Sequence, residues 1–275
     1  MSLKIDARRM LALIVIASFL GAASIPLTYA SDCPTANSTV SANLTLTGPC
    51  SYSGTNGFYL ASGVTLDCAH NSLIQTSTTV DYYAVMIEHV YGVTVKNCVF
   101  SGAWYEPLFA EWASGLTISN NVFTAGTSGT PEYPVVFEEY VTTSTVSGNM
   151  VTSCTYDGFW IYDSYNIALS SNTAHNCVGY GYYVYESTGS LTGNAATYND
   201  YGFYFYYTAL TLTNNKADHN TVYGYYDYSY ASASGPGTLG TGNTYINNEC
   251  HSDGTYGSYD EAATFGPAGL CTPQG

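Results

Sequence analysis

Carboxylates are the side chains of this chain whose spacing could do chemistry. Glu88, Glu111 and Glu139 stand ten residues before Cys98, Asn121 and Asn149, and Asp163 and Glu186 stand five after Gly158 and Gly181. If those reference positions stack, the acids form a stripe along four or five turns of chain. Two carboxyls about 5–5.5 Å apart suit a retaining glycoside hydrolase, and about 6.5–9.5 Å an inverting one. Glu111, Glu138, Glu139 and Asp163 are the candidates, with burial beside Trp112 or Trp160 raising one pKa. Stacked like charges would also shift their own pKa values or collect a cation such as Ca2+, with Glu88, Glu111, Glu139, Asp163 and Glu186 as its ligands. No cofactor is otherwise required. The plainer expectation is a solvated acidic face that keeps the protein soluble.

Aromatic rings form the second candidate surface. The segments GFWIYD (158–163), GYYVYE (181–186), GFYFYY (202–207) and GYYDYS (224–229) recur at 23, 21 and 22 residues. A period in the low twenties marks a solenoid, in which each repeat is one coil stacked on the next. Strand alternation then sends Phe159, Tyr182, Phe203 and Tyr225 to one face, together with Ile161, Val184, Phe205 and Asp227. Trp160, Tyr183, Tyr204 and Tyr226 go to the other, beside Tyr162, Tyr185, Tyr206 and Tyr228. The second set carries more hydroxyls and is expected outside, as a binding strip. Cross-strand pairing alone would give such rings a structural role worth roughly 0.2–1 kcal/mol per pair. A flat, weakly charged, tyrosine-lined strip suits neutral glycan chains or a second copy of the protein.

These residues need elements that hold one phase over many coils. The segments VKNC (95–98), ISNN (118–121), VSGN (146–149), LSSN (169–172), LTGN (191–194) and LTNN (212–215) supply them, in steps of 23, 28, 23, 22 and 21. Each sets an aliphatic residue three places before an asparagine, or before Cys98 in the first. This predicts a short inward-facing strand ending in a tight turn, where asparagine tolerates the left-handed conformation, bonds its own backbone and stacks on its neighbours. GTGN (240–243) follows 28 residues later without the aliphatic residue. Hairpins would lose the phase, so the strands are expected to stack in parallel. The two longer steps hold insertions at 124–134 and 229–238, where solenoids place surface loops.

Export is the expected context. Lys4, Arg8 and Arg9, the apolar run 10–23 and a small residue at Ala30 read as a signal peptide over 1–30, cleaved near Ala30–Ser31. No later segment is apolar enough to span a bilayer. Of 20 acids and 5 lysines or arginines, 19 acids, Lys96 and Lys216 follow that segment, and no arginine does. So acidic a surface excludes nucleic acid and disfavours anionic polysaccharide and membrane. Eight cysteines, all beyond the leader, argue for disulfides. Cys154 and Cys177 are one coil apart, within disulfide reach; Cys33–Cys50 and Cys250–Cys271 would close the ends, leaving Cys68–Cys98. The histidines at 70, 89, 175, 219 and 251 form no spaced cluster and read as turn or surface residues. Asn37 and Asn43 open glycosylation sequons. The domain plan is a leader (1–30), an N-terminal cap (31–57), a β-solenoid (58–249) and a C-terminal cap (250–275).

The segments SGVTLDCAHNSL (62–73), YGVTVKNCVFSG (91–102) and SGLTISNNVFTAG (114–126) resemble the right-handed parallel β-helix repeat proteins, nearest the NosD-like and carbohydrate-binding, sugar-hydrolase (CASH) type. The resemblance covers about residues 58–250. It implies an extracytoplasmic protein that binds or processes polysaccharide or serves as an adhesin, with a copper-related label in the NosD subgroup. Motifs of its enzymes are missing. There is no Asn-Thr-Asp, Asp-Asp, Gly-His-Gly or Arg-x-Lys of the polygalacturonase-like kind. The arginine that lyase-like and esterase-like members need is absent from residues 31–275.

The expectation is therefore all-β: a right-handed parallel β-helix of roughly eight coils with disulfide-tied ends. Its expected work is secreted or cell-surface glycan binding through the outer Tyr/Trp face. Self-association through that face and hydrolysis by paired carboxylates are the alternatives.

Overall fold

The computed structural model describes residues 32–228, 243–251, 253, 258–260 and 272–274. The expected leader, the insertion at 229–238 and Cys271 lie outside the described residues. Strands three apart in the chain are hydrogen-bonded neighbours, so the chain lays one strand in each of three sheets and returns to the first. Pairing is parallel throughout, and the winding is right-handed. An aromatic sheet of ten strands runs from Ser38–Val40 to Ser258–Asp260 and a middle sheet of nine from Leu44–Thr45 to Thr244–Ile246. A third sheet of ten runs from Cys50–Tyr52 to Thr272–Gln274. Eight coils lie between Phe58 and His251. Residues 38–52, within the stretch expected as a cap, add one coil in front.

Alternation decides what each coil buries. On the middle sheet Val95, Ile118, Val146, Leu169, Leu191 and Leu212 all point inward and are buried. On the aromatic sheet the inner set is as expected: Phe159, Tyr182, Phe203, Tyr225, Ile161, Val184, Phe205 and Asp227 are all buried. Phe159, Tyr182, Phe203 and Tyr225 stack at 4.7 Å per step. Across the core the third sheet answers in volume. It offers Phe100 and Phe123 early, then Val151, Ala174, Ala196 and Ala217 where the aromatic sheet has become bulky. Each coil thus holds close-packed density by trading size between two walls.

The asparagine column is a buried ladder. Asn121, Asn149, Asn172, Asn194, Asn215 and Asn248 each take the next place along the axis, and all are buried. Asn172 shows the unit. Its Nδ2 donates to Val146 O at 2.8 Å and to Asn194 Oδ1 at 3.0 Å, while its Oδ1 accepts from the backbone N and Nδ2 of Asn149 at 2.9 and 3.0 Å. Two details differ from expectation. The left-handed residue is the one before each ladder position (Asn97, Asn120, Gly148, Ser171, Gly193, Asn214, Asn247), because the ladder amide bonds the neighbouring coils rather than its own backbone. After Asn215 the ladder continues to Asn248, not Asn243, whose Oδ1 instead accepts from Leu210 N at 2.8 Å.

The glycine opening each tyrosine segment has a steric cause. A Cβ at Gly158, Gly181 or Gly202 would lie 2.8, 2.7 or 2.5 Å from the carbonyl oxygen of the next glycine in the column. Bridges join Cys33–Cys50, Cys68–Cys98 and Cys154–Cys177, with Cα separations of 5.4, 4.7 and 4.5 Å. Cys250 is also disulfide-bonded, and its expected partner Cys271 is outside the described residues.

Candidate functional site

The outer face of the aromatic sheet carries the eight expected rings, all half-buried. Trp160, Tyr183, Tyr204 and Tyr226 stand in register, with centroids 4.7, 5.4 and 4.9 Å apart. Tyr162, Tyr185, Tyr206 and Tyr228 form the second column at 4.9, 5.0 and 4.8 Å, with planes within 5° of parallel. These separations equal the strand spacing of about 4.8 Å, so each ring rests on its neighbour's face. What the columns turn outward is a row of ring edges and hydroxyl ends. This changes the expected picture of open ring faces.

A third outer column comes from tyrosines that sequence reasoning passed over. Tyr180, Tyr201 and Tyr223, each directly before a segment glycine, stand in register with centroids 4.9 and 5.7 Å apart. Tyr83, Tyr105, Tyr133 and Tyr156 carry this edge toward the N-terminal coils. The signal was present: Tyr105, Tyr133 and Tyr156 each precede a ladder asparagine by sixteen residues.

At that end Tyr133 still stacks on Tyr156, but the rings around it turn edge to face. Tyr83 and Tyr105 meet at 85°, Tyr105 and Tyr133 at 79°, and Tyr133 and Trp160 at 88°, with centroids 5.4–5.8 Å apart. They wall a hollow of about 170 Å³ with Val136, Glu106 and Glu138. Glu106 is 7% exposed, and its Oε2 has no hydrogen-bond partner. Burial, then the nearby charges of Glu138 and Glu132, push its pKa up to about 8. The carboxyl is therefore largely protonated at neutral pH. Burial also raises Glu138, with help from Glu111 and Glu139. Glu106 was not among the expected residues, since the coil before it carries Tyr83 at its strand position and no acidic period marks it.

The other acids occupy two rows, not one stripe. Glu88, Glu111 and Glu138 are in register on the sheet, and the row continues into Tyr162. Glu138, not Glu139, therefore takes the sheet position. Glu139, Asp163 and Glu186 lie at the following corner with φ of 43–45°. The sequence merged the rows because Glu139 and Tyr140, both left-handed, fill a place that one residue fills in other coils. Of the four hydrolytic candidates only Glu138 lines the hollow. Trp112, 46% exposed, packs on Tyr140 at the corner and buries no candidate acid; Trp160 does line the hollow. Among the described residues no three of His, Cys, Asp or Glu are grouped to hold a metal ion, the expected acidic ligands included. Asn37 and Asn43 are exposed.

Residues 62–222 match the family model described as "Right handed beta helix region". Among solved structures the chain is similar to the periplasmic alginate epimerase AlgG, at 14% identity over 84% of this chain and 65% of that one, with a TM-score of 0.53. It is also similar to the A-module of a mannuronan C-5 epimerase from Azotobacter vinelandii (12% identity, 80% and 71% covered, TM-score 0.45). A third is an endo-xylogalacturonan hydrolase from Aspergillus tubingensis (9% identity, 86% and 80% covered, TM-score 0.42). The likeness at these identities is one of fold. This chain spans about 65% of the length of the first of them. No curated protein matches the sequence.

Proposed function

The chain belongs to the right-handed β-helix family, and on that premise we propose that it works outside the cytoplasm and binds extracellular glycan along the outer aromatic sheet. One observation carries the reading: three registered columns of half-buried aromatic rings share one open sheet and end in a hollow whose wall alternates ring faces and edges. Edges and hydroxyl ends along the columns suit the hydroxyl pattern of a sugar chain. The ring faces of the hollow suit the apolar face of a single sugar ring. The AlgG epimerase of similar fold is named for acting on alginate, which fits the reading only as far as both concern a polysaccharide, since the acidic surface of this chain disfavours an anionic one. Three disulfides support an oxidising compartment.

The experiment is retention on a panel of immobilised polysaccharides. Wild type is expected to be retained on at least one neutral glycan, and Tyr183→Ala/Tyr204→Ala to lose roughly tenfold or more in affinity, at about 1 kcal/mol per ring. Equal retention of the two proteins on every glycan overturns the reading. Sedimentation as a dimer or larger species, lost in the same variant, would assign the strip to self-association instead.

A further inference from the structure

The geometry points to a guest for the hollow: we propose that Tyr83, Tyr105, Tyr133 and Trp160, with Glu106 and Glu138, form a cage for a compact alkylammonium group. The inference deepens the glycan reading if the ammonium is carried on a glycan, but the cage itself needs no glycan to fill it.

Four features of the hollow select this chemistry. Successive rings meet at 85°, 79° and 88°, so faces and edges alternate around the space, and only one side of Tyr133 and of Trp160 is taken, by Tyr156 and Tyr183 of the next coil. The face of an aromatic ring is its negative side, and a cation within about 6 Å of several faces is held by all of them. Two carboxyls share the wall, and one oxygen of Glu106, a residue 7% exposed, has no partner. No protein cation among the described residues answers them. Lys96 pairs with Asp67 at 3.2 Å on the middle sheet, and Lys216 with Asp218 at 3.0 Å on the third.

Size narrows the guest further. A hollow of about 170 Å³ holds the share of five or six waters at ~30 Å³ each. That suits an ammonium head with its methyl groups and excludes a run of sugars. A hard divalent ion is the wrong guest, because it asks for six or more oxygens and the wall is mostly ring carbon.

Proton linkage gives the site a second signature. The groups facing Glu106 are Glu138, Glu132 with Asp81 beside it, and the phenols of Tyr83, Tyr105 and Tyr133, the last with Asp157 nearby. Burial raises all three phenols, so they stay neutral across the working range. A bound cation favours the ionised carboxylate and draws the proton from Glu106. Affinity should therefore rise with pH through about 8. If only the ionised form binds, the gain from pH 7 to pH 9 is about tenfold.

The test is titration of the intact protein with tetramethylammonium, choline and 3,3-dimethylbutanol, the uncharged isostere of choline, followed by calorimetry and by tryptophan fluorescence. Both cations are expected to bind, about tenfold tighter at pH 9 than at pH 7, and the isostere at least tenfold more weakly. Trp160→Ala should weaken choline about tenfold, Glu106→Gln should flatten the pH dependence, and Tyr91→Ala, at an exposed ring outside both the strip and the hollow, should leave choline binding unchanged. Equal binding of choline and its isostere overturns the proposal. So does absence of cation binding by wild-type protein, or unchanged choline affinity in folded Trp160→Ala. Choline-substituted polysaccharide binding more tightly than free choline assigns the ammonium to a glycan; equal affinities assign it to a free amine. Loss of glycan retention in Tyr206→Ala/Tyr228→Ala, two rings that do not line the hollow, with choline binding intact separates the two readings.

Discussion

Glu106 sets the pH response of the fold. Its folded pKa of about 8 stands above the ordinary carboxylate value, so the native state holds a proton that the unfolded chain has released. The stability that this group contributes is fully present below pH 4.5 and is lost as pH rises to about 8, because at this site the native state binds more protons than the unfolded one across that window. Asp157, raised to about 6 by burial, acts in the same direction over a lower range. We predict a melting temperature that falls between pH 5 and pH 9, and a smaller fall in Glu106→Gln. The variant should be more stable than wild type at pH 9 by roughly 1–3 kcal/mol, the cost of a buried group without its partner. Parallel melting curves for the two proteins across this range would exclude Glu106 as the cause. Glu106 was illegible in the sequence because its environment is assembled from Tyr83, Tyr133 and Trp160, which lie in three other coils and partly behind an insertion. Its neighbour Glu138 was legible as a carboxylate, though not its register: only a left-handed pair at Glu139 and Tyr140 shows which of two adjacent acids stays on the sheet.

Among the elements, the asparagine ladder ties each coil to both its neighbours through buried side-chain hydrogen bonds. Asn172→Ala would leave Val146 O and two Asn149 donors without this partner in a buried column, and Asn194 Oδ1 with only the backbone N–H of residue 172. The expected loss is about 3 kcal/mol or more, read as a shift in the urea midpoint; a shift below 0.5 kcal/mol would show that the ladder follows the fold rather than holding it. Aliphatic spacing made the middle sheet readable, and glycine spacing the aromatic one. The exchange of volume between Phe159–Tyr182–Phe203–Tyr225 and Ala174–Ala196–Ala217 was not readable, since alanine carries no periodic signal of its own. It needs both walls of a coil in view.

At the scale of the whole solenoid each coil touches its neighbours, and stability is close to a sum over coils. Removing residues 195–215 takes out one ladder period, from Asn194 to Asn215, and one rung of tyrosines. The shortened protein is expected to keep its β-rich circular dichroism and unfold cooperatively, while glycan retention weakens with the lost rung. Failure to fold would mean that distant coils depend on one another. The cysteines bear on this through direction. Cys68–Cys98 and Cys154–Cys177 each tie one coil to the next, enclosing 30 and 23 residues. A pulling force applied at the two termini would peel coils singly, each freeing about 70–80 Å of extended chain. At those two places the chain cannot pay out, because the force runs through sulfur instead of backbone. The rungs at Tyr183, Tyr204 and Tyr226 lie beyond these knots and are the part that tension would open and close, while the rung at Trp160 sits inside the second loop.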